Sequence, residues 1–188
     1  LSEQQQQRFA GSLKARLHEL EHQVRDMLVF ARGDLPLNDR VTPAELLSAL
    51  RSAAEPKLRD VAVRWQNDAQ GGELLCNRDT LVGALLNLVQ NALQACSGAC
   101  RLKIHLYRRD ATLYLCISDN GRGIEAGVLG RLGEPFFTTR DNGTGLGLAV
   151  AKAVARAHQG ELRLLSRPGR GTCVIVALPL IPIVQKVV

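Results

Sequence analysis

Four short segments carry residue types that can do chemistry, and they follow one another along the chain. They are Asn87-Leu-Val-Gln-Asn91, Asp119-Asn-Gly121-Arg-Gly123, Pro135-Phe136-Phe137-Thr138-Thr139 and Gly143-Thr144-Gly145-Leu146-Gly147. Asn87 and Asn91 are four apart, so on a helix both amides project from one face. Two carboxamide oxygens on that face could help hold a hard cation such as Mg²⁺. The plain alternative is a polar helix face. The neighbours Leu85, Leu86, Leu88, Val89, Ala92 and Leu93 are apolar, however, and asparagines in such a helix need partners.

Asp119 ends a strand-like run and is followed by two glycines. A carboxylate at such an edge can accept from the amino group of a base, and the glycines allow close approach of backbone or ligand. On its own the segment reads more readily as a simple strand-ending turn. Gly143, Gly145 and Gly147 precede a helical pattern, and backbone N–H groups of a glycine-rich turn at a helix N-terminus suit phosphate. A dinucleotide fingerprint fits poorly. The third glycine falls one position early, and Phe137 to Asn142 do not read as a strand.

The elements that must position these segments follow from periodicity. Leu13, Leu17, Leu20, Val24, Met27 and Ala31 form an a/d seam over 8–32, which predicts a long helix that needs partner helices. Arg32 to Pro43 reads as a linker. Thr42-Pro43-Ala44-Glu45 has the form of a capping box and opens a helix to about Ala54. Val61 to Trp65 alternates as a strand. Asn77 starts the helix that carries Asn87 and Asn91. Runs 101–109 and 112–118 predict a hairpin, 119–145 is irregular, and 146–158 is a helix that Gly160 ends. Runs 162–166 and 172–178 form a last hairpin around Pro168-Gly169-Arg170-Gly171. The body is therefore α/β, with a mainly antiparallel sheet because its strands come in hairpins.

Composition narrows the classes of function. Of 188 residues, 46% are hydrophobic and 22% charged, which excludes a disordered tail or a fibre. The longest apolar run, Val174 to Val184, is too short to span a bilayer. The opening residues show no export signal, and the start at Leu1 suggests a piece of a longer protein. The net charge is +6: residues 1–60 carry nine basic and nine acidic residues, so the excess lies in 61–188. Such an excess could attract nucleic acid or equally hold a nucleotide triphosphate; aromatic residues are only 4%, and none interleaves with a basic run, which argues against nucleic acid. The five cysteines, Cys76, Cys96, Cys100, Cys116 and Cys173, form no CxxC pair and read as reduced, small buried hydrophobes.

In this order the four segments resemble the N, G1, F and G2 boxes of the histidine-kinase branch of the gyrase/Hsp90/histidine-kinase/MutL ATPase superfamily. The resemblance covers about residues 40–180. The wording from Asn87 to Ala95 is most similar to nitrogen-regulatory and polar-flagellar sensor kinases. It implies a Bergerat-type ATP-binding fold, a two-layer sandwich of a mixed, mainly antiparallel sheet packed on helices. A long helix from a dimerisation hairpin would precede it. The implied domains are 1–33, the second helix of that hairpin; 34–43, a linker; 44–180, the ATP-binding catalytic domain; and 181–188, a tail.

By position, the resemblance implies that Asn91 ligates Mg²⁺ with help from Asn87. Asp119 would bind the adenine amino group, Gly121 and Gly123 would shape its pocket, and Thr172 would support Asp119 through a hydrogen bond or water. Ile124 to Gly143 would be a mobile lid that Phe136 and Phe137 anchor, with Thr138 and Thr139 beside them. Gly143, Thr144, Gly145, Leu146 and Gly147 would line the phosphates. Arg140 is a candidate phosphate contact or a solvated lid charge. ATP-hydrolysing relatives such as gyrase and Hsp90 place a glutamate base at the position of Asn87. An amide cannot take a proton from water, so this site favours handing the γ-phosphate to a histidine.

His18-Glu19-Leu20-Glu21-His22 matches HExxH, but it lies inside the seam with no evident third ligand. It also partly resembles the family's phosphoacceptor box. His18 is 69 residues before Asn87, and the stretch between has no room for a second long helix, so the acceptor is expected upstream of Leu1. The implied protein is a cytoplasmic kinase module. Its partners would be a response regulator and a second copy through the N-terminal helix, with a membrane reached only through upstream segments. A serine kinase of the anti-sigma type and a nucleotide-gated interaction module are the alternatives on the same fold.

Overall fold

The computed structural model describes residues 9, 11, 35–139 and 143–182. Phe9 and Gly11 are helical. The rest of the expected seam helix, with His18 and His22, and Arg140 lie outside the described residues.

Among the described residues, seven strands and four α-helices follow in chain order. They are β1 (Asp39–Val41), α1 (Pro43–Ala54), β2 (Ala62–Asp68), β3 (Leu74–Cys76), α2 (Arg78–Ala95), β4 (Arg101–Arg109), β5 (Thr112–Asp119), α3 (Ala126–Leu129), α4 (Gly147–Ala157), β6 (Glu161–Arg167) and β7 (Gly171–Pro179). Five strands form one sheet in the order β2-β4-β5-β7-β6. The contacts β4–β5, β5–β7 and β7–β6 are antiparallel, as hairpins require. The contact β2–β4 is parallel, with α2 in the connection between them. The sheet is thus mixed and mainly antiparallel.

Alternation sets which face each strand buries. Leu102, Ile104 and Leu106 of β4, Leu113, Leu115 and Ile117 of β5, and Val174, Val176 and Leu178 of β7 all point to one side. There they join Leu81, Leu85 and Leu88 of α2, Val150 and Val154 of α4, and Leu46 and Leu50 of α1 in a single core. Each such side chain contributes roughly 1.5–3 kcal/mol of burial. The other face of the sheet is half-exposed. Tyr107 stacks on Tyr114 at 5.1 Å, and His105 Nε2 lies 2.7 Å from Asp68 Oδ2.

Two strands fall where the sequence shows no strand pattern. β1 lies inside the stretch read as a linker, and it pairs with β3 in a separate two-stranded sheet. Ile181, assigned to the tail, exchanges both backbone hydrogen bonds with Glu73 at 2.8 and 2.9 Å. The folded unit therefore extends beyond the expected 44–180 at both ends.

Two helices of the core layer start where capping chemistry dictates. In α1 the Thr42 hydroxyl accepts from the Glu45 N–H at 3.2 Å, and the Glu45 carboxylate accepts from the Thr42 N–H at 2.8 Å, which completes the capping box. In α2 the Asn77 side chain accepts from the Thr80 N–H at 3.1 Å, and Asp39 of β1 accepts from the Arg78 N–H at 2.9 Å. The short β1 strand thus helps cap the helix that bears Asn87 and Asn91.

His158 joins α4 to the start of α2. Its ring is buried, with Nδ1–H donating to the Val154 carbonyl at 2.7 Å and Nε2 accepting from the Asn77 N–H at 3.1 Å. That geometry requires the neutral ring, and burial holds the pKa of His158 below the usual histidine value. The unfolded chain protonates this histidine first as pH falls through about 6.5, so acid stabilises the unfolded state. The melting temperature should therefore fall between pH 7.5 and 5.5. His158→Leu should melt lower at every pH, because the Asn77 N–H loses its acceptor, and should show a shallower pH dependence. Equal slopes in the two proteins would contradict this assignment.

Candidate functional site

Asp119 is the last residue of β5, and the β5–β7 pairing brings the start of β7 beside it. Its Oδ1 accepts from the Gly121 N–H at 2.8 Å and from the Thr172 N–H at 3.2 Å. Hydrogen bonds to a carboxylate are the stronger kind, so this carboxylate is held in a fixed orientation. Thr172 supports Asp119 through its backbone. Its hydroxyl lies 2.8 Å from Ser166 Oγ, which also donates to the Gly171 carbonyl at 3.1 Å. The sequence reading expected the support and did not find Ser166, whose signal was its place opposite Thr172 in the last hairpin.

The Asn120–Gly123 segment is gripped on both sides. The Arg122 N–H donates to the Ala95 carbonyl at the end of α2 (3.0 Å), and the Arg122 carbonyl accepts from the Gly169 N–H in the β6–β7 turn (2.7 Å). A Cβ on Gly121 would lie 2.6 Å from the Ala95 carbonyl oxygen, so only glycine fits this close approach. Gly123 passes against the Arg167 carbonyl. Asn120, also unread in the sequence, accepts from the Arg101 N–H at 2.7 Å and donates to the Ala99 carbonyl at 3.0 Å.

On α2, Asn87 is buried and Asn91 half-buried, and both engage in polar interactions. They face the start of α4: a Cβ on Gly147 would lie 3.8 Å from Asn87 Cβ and 3.8 Å from Asn91 Nδ2. The helix N-terminus thus opens beside two amides. Leu146, the N-cap residue, is buried and provides no side-chain cap for the first N–H groups of α4. Gly143 and Gly145 are half-buried and Thr144 is exposed, its hydroxyl 3.4 Å from the Leu146 N. Free N–H groups at a helix start and hard amide oxygens together suit a phosphate chain and a cation such as Mg²⁺. Among the described residues no group of three His, Cys, Asp or Glu is placed to hold a metal ion.

Leu132 and Gly133 lie against Lys152 of α4. The Lys152 ammonium donates to the Leu132 carbonyl. The Arg131 guanidinium lies 4.0 Å over the ring of Phe137, which is half-buried. Phe136 does not anchor through its ring, which is 66% exposed, contrary to expectation. Its backbone, at φ +64°, instead abuts Gly145. Thr138 and Thr139 are exposed. The reading of all five cysteines as reduced is also corrected, since Cys96 and Cys100 are joined as a disulfide. Cys76, Cys116 and Cys173 are free thiols.

The fold and these segments define a class. Residues 76–182 match the family described as histidine kinase-, DNA gyrase B- and HSP90-like ATPase. The chain belongs to this family. It is 68% identical over 178 residues to the sensor protein kinase FleS of Pseudomonas aeruginosa, an alignment that covers 95% of this chain and 44% of FleS. It is 39% identical over 107 residues to the signal transduction histidine-protein kinase AtoS of Escherichia coli, covering 56% of this chain and 18% of AtoS. The chain thus spans less than half the length of these relatives. Among solved structures, the catalytic domain of the histidine kinase ThkA superposes with a TM-score of 0.68 at 25% identity, covering 76% of this chain and 95% of that one. The mycobacterial sensor histidine kinase MprB superposes with a TM-score of 0.66 at 26% identity, covering 78% and 99%. The expected Bergerat-type sandwich is thereby established.

Gly145 sits at φ +68°, and a Cβ there would lie 2.4 Å from the Phe136 carbonyl carbon. Gly145→Ala should separate the phenylalanine segment from the glycine loop. We expect affinity for an ATP analogue to fall by about tenfold, ~1.4 kcal/mol, with a melting temperature close to that of the wild type. Unchanged affinity in a titration would show that this junction does not shape the site.

Proposed function

We propose that the chain is the ATP-binding catalytic module of a sensor histidine kinase, one that delivers the γ-phosphate of ATP to a histidine on a dimerisation helix. The phosphate would then pass to an aspartate of a response regulator. The observation that carries the reading is the Asp119 carboxylate, fixed by two backbone N–H groups at the sheet edge, with Asn87, Asn91 and the start of α4 beyond it. In this reading Asp119 accepts from the adenine amino group, and Gly121, Gly123 and Thr172 hold the pocket around it. Asn91, assisted by Asn87, would hold Mg²⁺, which supplies charge neutralisation to the phosphates. Gly143, Thr144, Gly145, Leu146 and Gly147 would present N–H groups to the phosphate chain. The segment with Phe136, Phe137, Thr138 and Thr139 would cover it, and Arg140 is a candidate phosphate contact.

Phosphoryl transfer depends mainly on positioning and charge neutralisation, and the residues here provide both without a carboxylate base at position 87. Water is therefore a poor acceptor, whereas an imidazole nitrogen attacks without prior deprotonation by the enzyme. The helix within 1–33 would be the second helix of the dimerisation hairpin, pairing two copies, and 34–43 would lead into the catalytic domain. The likeness to a solved complex of ThkA with the response regulator protein TrrA, 20% identical, supports the fold alone. No described helix is long and apolar enough to cross a membrane. We place the module in the cytoplasm, where ATP and response regulators are found.

The test supplies the protein with γ-labelled ATP, Mg²⁺ and a helical hairpin bearing an acceptor histidine from a sensor kinase of this type. Label should appear on the hairpin as an acid-labile, alkali-stable phosphoramidate. Acid-stable label on serine would favour the anti-sigma type of kinase. Nucleotide binding without transfer to the hairpin would point to a gated interaction module.

A further inference from the structure

The Cys96–Cys100 disulfide closes a loop of five residues between α2 and β4, with the two Cα atoms 5.5 Å apart. Its two ends adjoin contacts on one side of the Asp119 segment, opposite Gly169 of the β6–β7 turn. Cys96 directly follows Ala95, whose carbonyl accepts from the Arg122 N–H at 3.0 Å and packs against Gly121. Cys100 stands between Ala99, whose carbonyl accepts from Asn120 Nδ2 at 3.0 Å, and Arg101, whose N–H donates to Asn120 Oδ1 at 2.7 Å. Gly121 in turn donates to Asp119. The sulfur bridge therefore ties together the backbone groups that fix residues 120–122 one step from the proposed base-binding carboxylate. Ser97, Gly98 and Ala99 between the cysteines are exposed, and both cysteines are half-buried, so the bridge is within reach of solvent reagents.

We propose that Cys96 and Cys100 form a thiol–disulfide exchange site whose oxidation state sets the affinity of the adjoining nucleotide pocket. The reacting partner is a small dithiol or, in the reverse direction, a small disulfide. A thiolate of the dithiol attacks one protein sulfur and releases the other as a thiolate, giving a mixed disulfide. The second thiolate of the reagent then displaces the remaining protein sulfur. Two electrons pass from the dithiol to the protein, two protons end on Cys96 and Cys100, and the reagent leaves as a disulfide. Reduction frees the loop, and ordering it again then costs conformational entropy whenever the pocket must be rigid to bind. The oxidised protein is accordingly the tighter binder.

This inference rests on the reading of Asp119 as part of a nucleotide site, and its test separates the two. The chain has five cysteines. Thiols are counted after denaturation, in protein oxidised with a small disulfide and in protein reduced with dithiothreitol. For each state, affinity for an ATP analogue and hydrogen exchange at the Arg122 amide are measured, in the wild type and in the double variant Cys96→Ser, Cys100→Ser. We expect three thiols in the oxidised and five in the reduced wild type. Affinity should weaken at least threefold on reduction, with faster exchange at Arg122. The double variant should hold the reduced-state values under both treatments, although Cys76, Cys116 and Cys173 are still present. Five thiols after oxidation, or affinity and exchange that do not change with thiol count, would overturn the proposal. So would a double variant that still responds to redox treatment. Absence of nucleotide binding in both states, with exchange at Arg122 still redox-dependent, would instead remove the nucleotide reading and with it the link to affinity.

Discussion

One oxygen organises the proposed site: Oδ1 of Asp119, held by N–H groups from Gly121 and from Thr172, which lies 53 residues downstream. The first donor is local and comes from the turn after β5. The second exists only because β7 pairs antiparallel with β5 and places its first residues at the end of that strand. The carboxylate thus stands where it does because the sheet closes in one register. A slip of one residue would turn the buried row of Leu113, Leu115 and Ile117 outward and move Thr172 away. The apolar face of the sheet and the orientation of one acid are the same constraint.

The second half of the site depends on two helices meeting end to side. α2 presents Asn87 and Asn91 to the start of α4, and both helices pack on the sheet through their apolar rows. His158 ties the far end of α4 to the first turn of α2, and Asp39 and Asn77 cap that turn. Geometry at the proposed phosphate end is therefore set by contacts at the other end of these helices. The choice of amides in place of an acid at this position fits a site that orients a phosphoryl group for transfer and does not activate water.

Much of this was legible from local pattern. The helix with Asn87 and Asn91 showed apolar spacing and a capping asparagine, the hairpins showed alternation, and the four boxes stood in order. What stayed hidden depends on pairing across long separations. β1 and β3 have three residues each, too few for a period to show, and they become strands only by meeting one another. The parallel β2–β4 contact needs the whole α2 crossover before it exists. Ser166 and Asn120 look like ordinary turn residues until the fold brings Thr172 and Arg101 to them. The Cys96–Cys100 bridge carries no framework spacing, and Phe136 reads as an anchor by type although its ring faces solvent.

The central claim is that the fixed carboxylate of Asp119 recognises the base. The direct measurement is a calorimetric titration of wild type and Asp119→Asn with a non-hydrolysable ATP analogue, with and without Mg²⁺. Asparagine retains an oxygen that can accept from Gly121 and Thr172, so the fold is kept while the charge and its acceptor strength are lost. Losing a hydrogen bond to a charged group costs about 1.5–3 kcal/mol, so the account predicts Mg²⁺-dependent binding by the wild type and a loss of tenfold or more in the variant. Equal binding by the two proteins would contradict it.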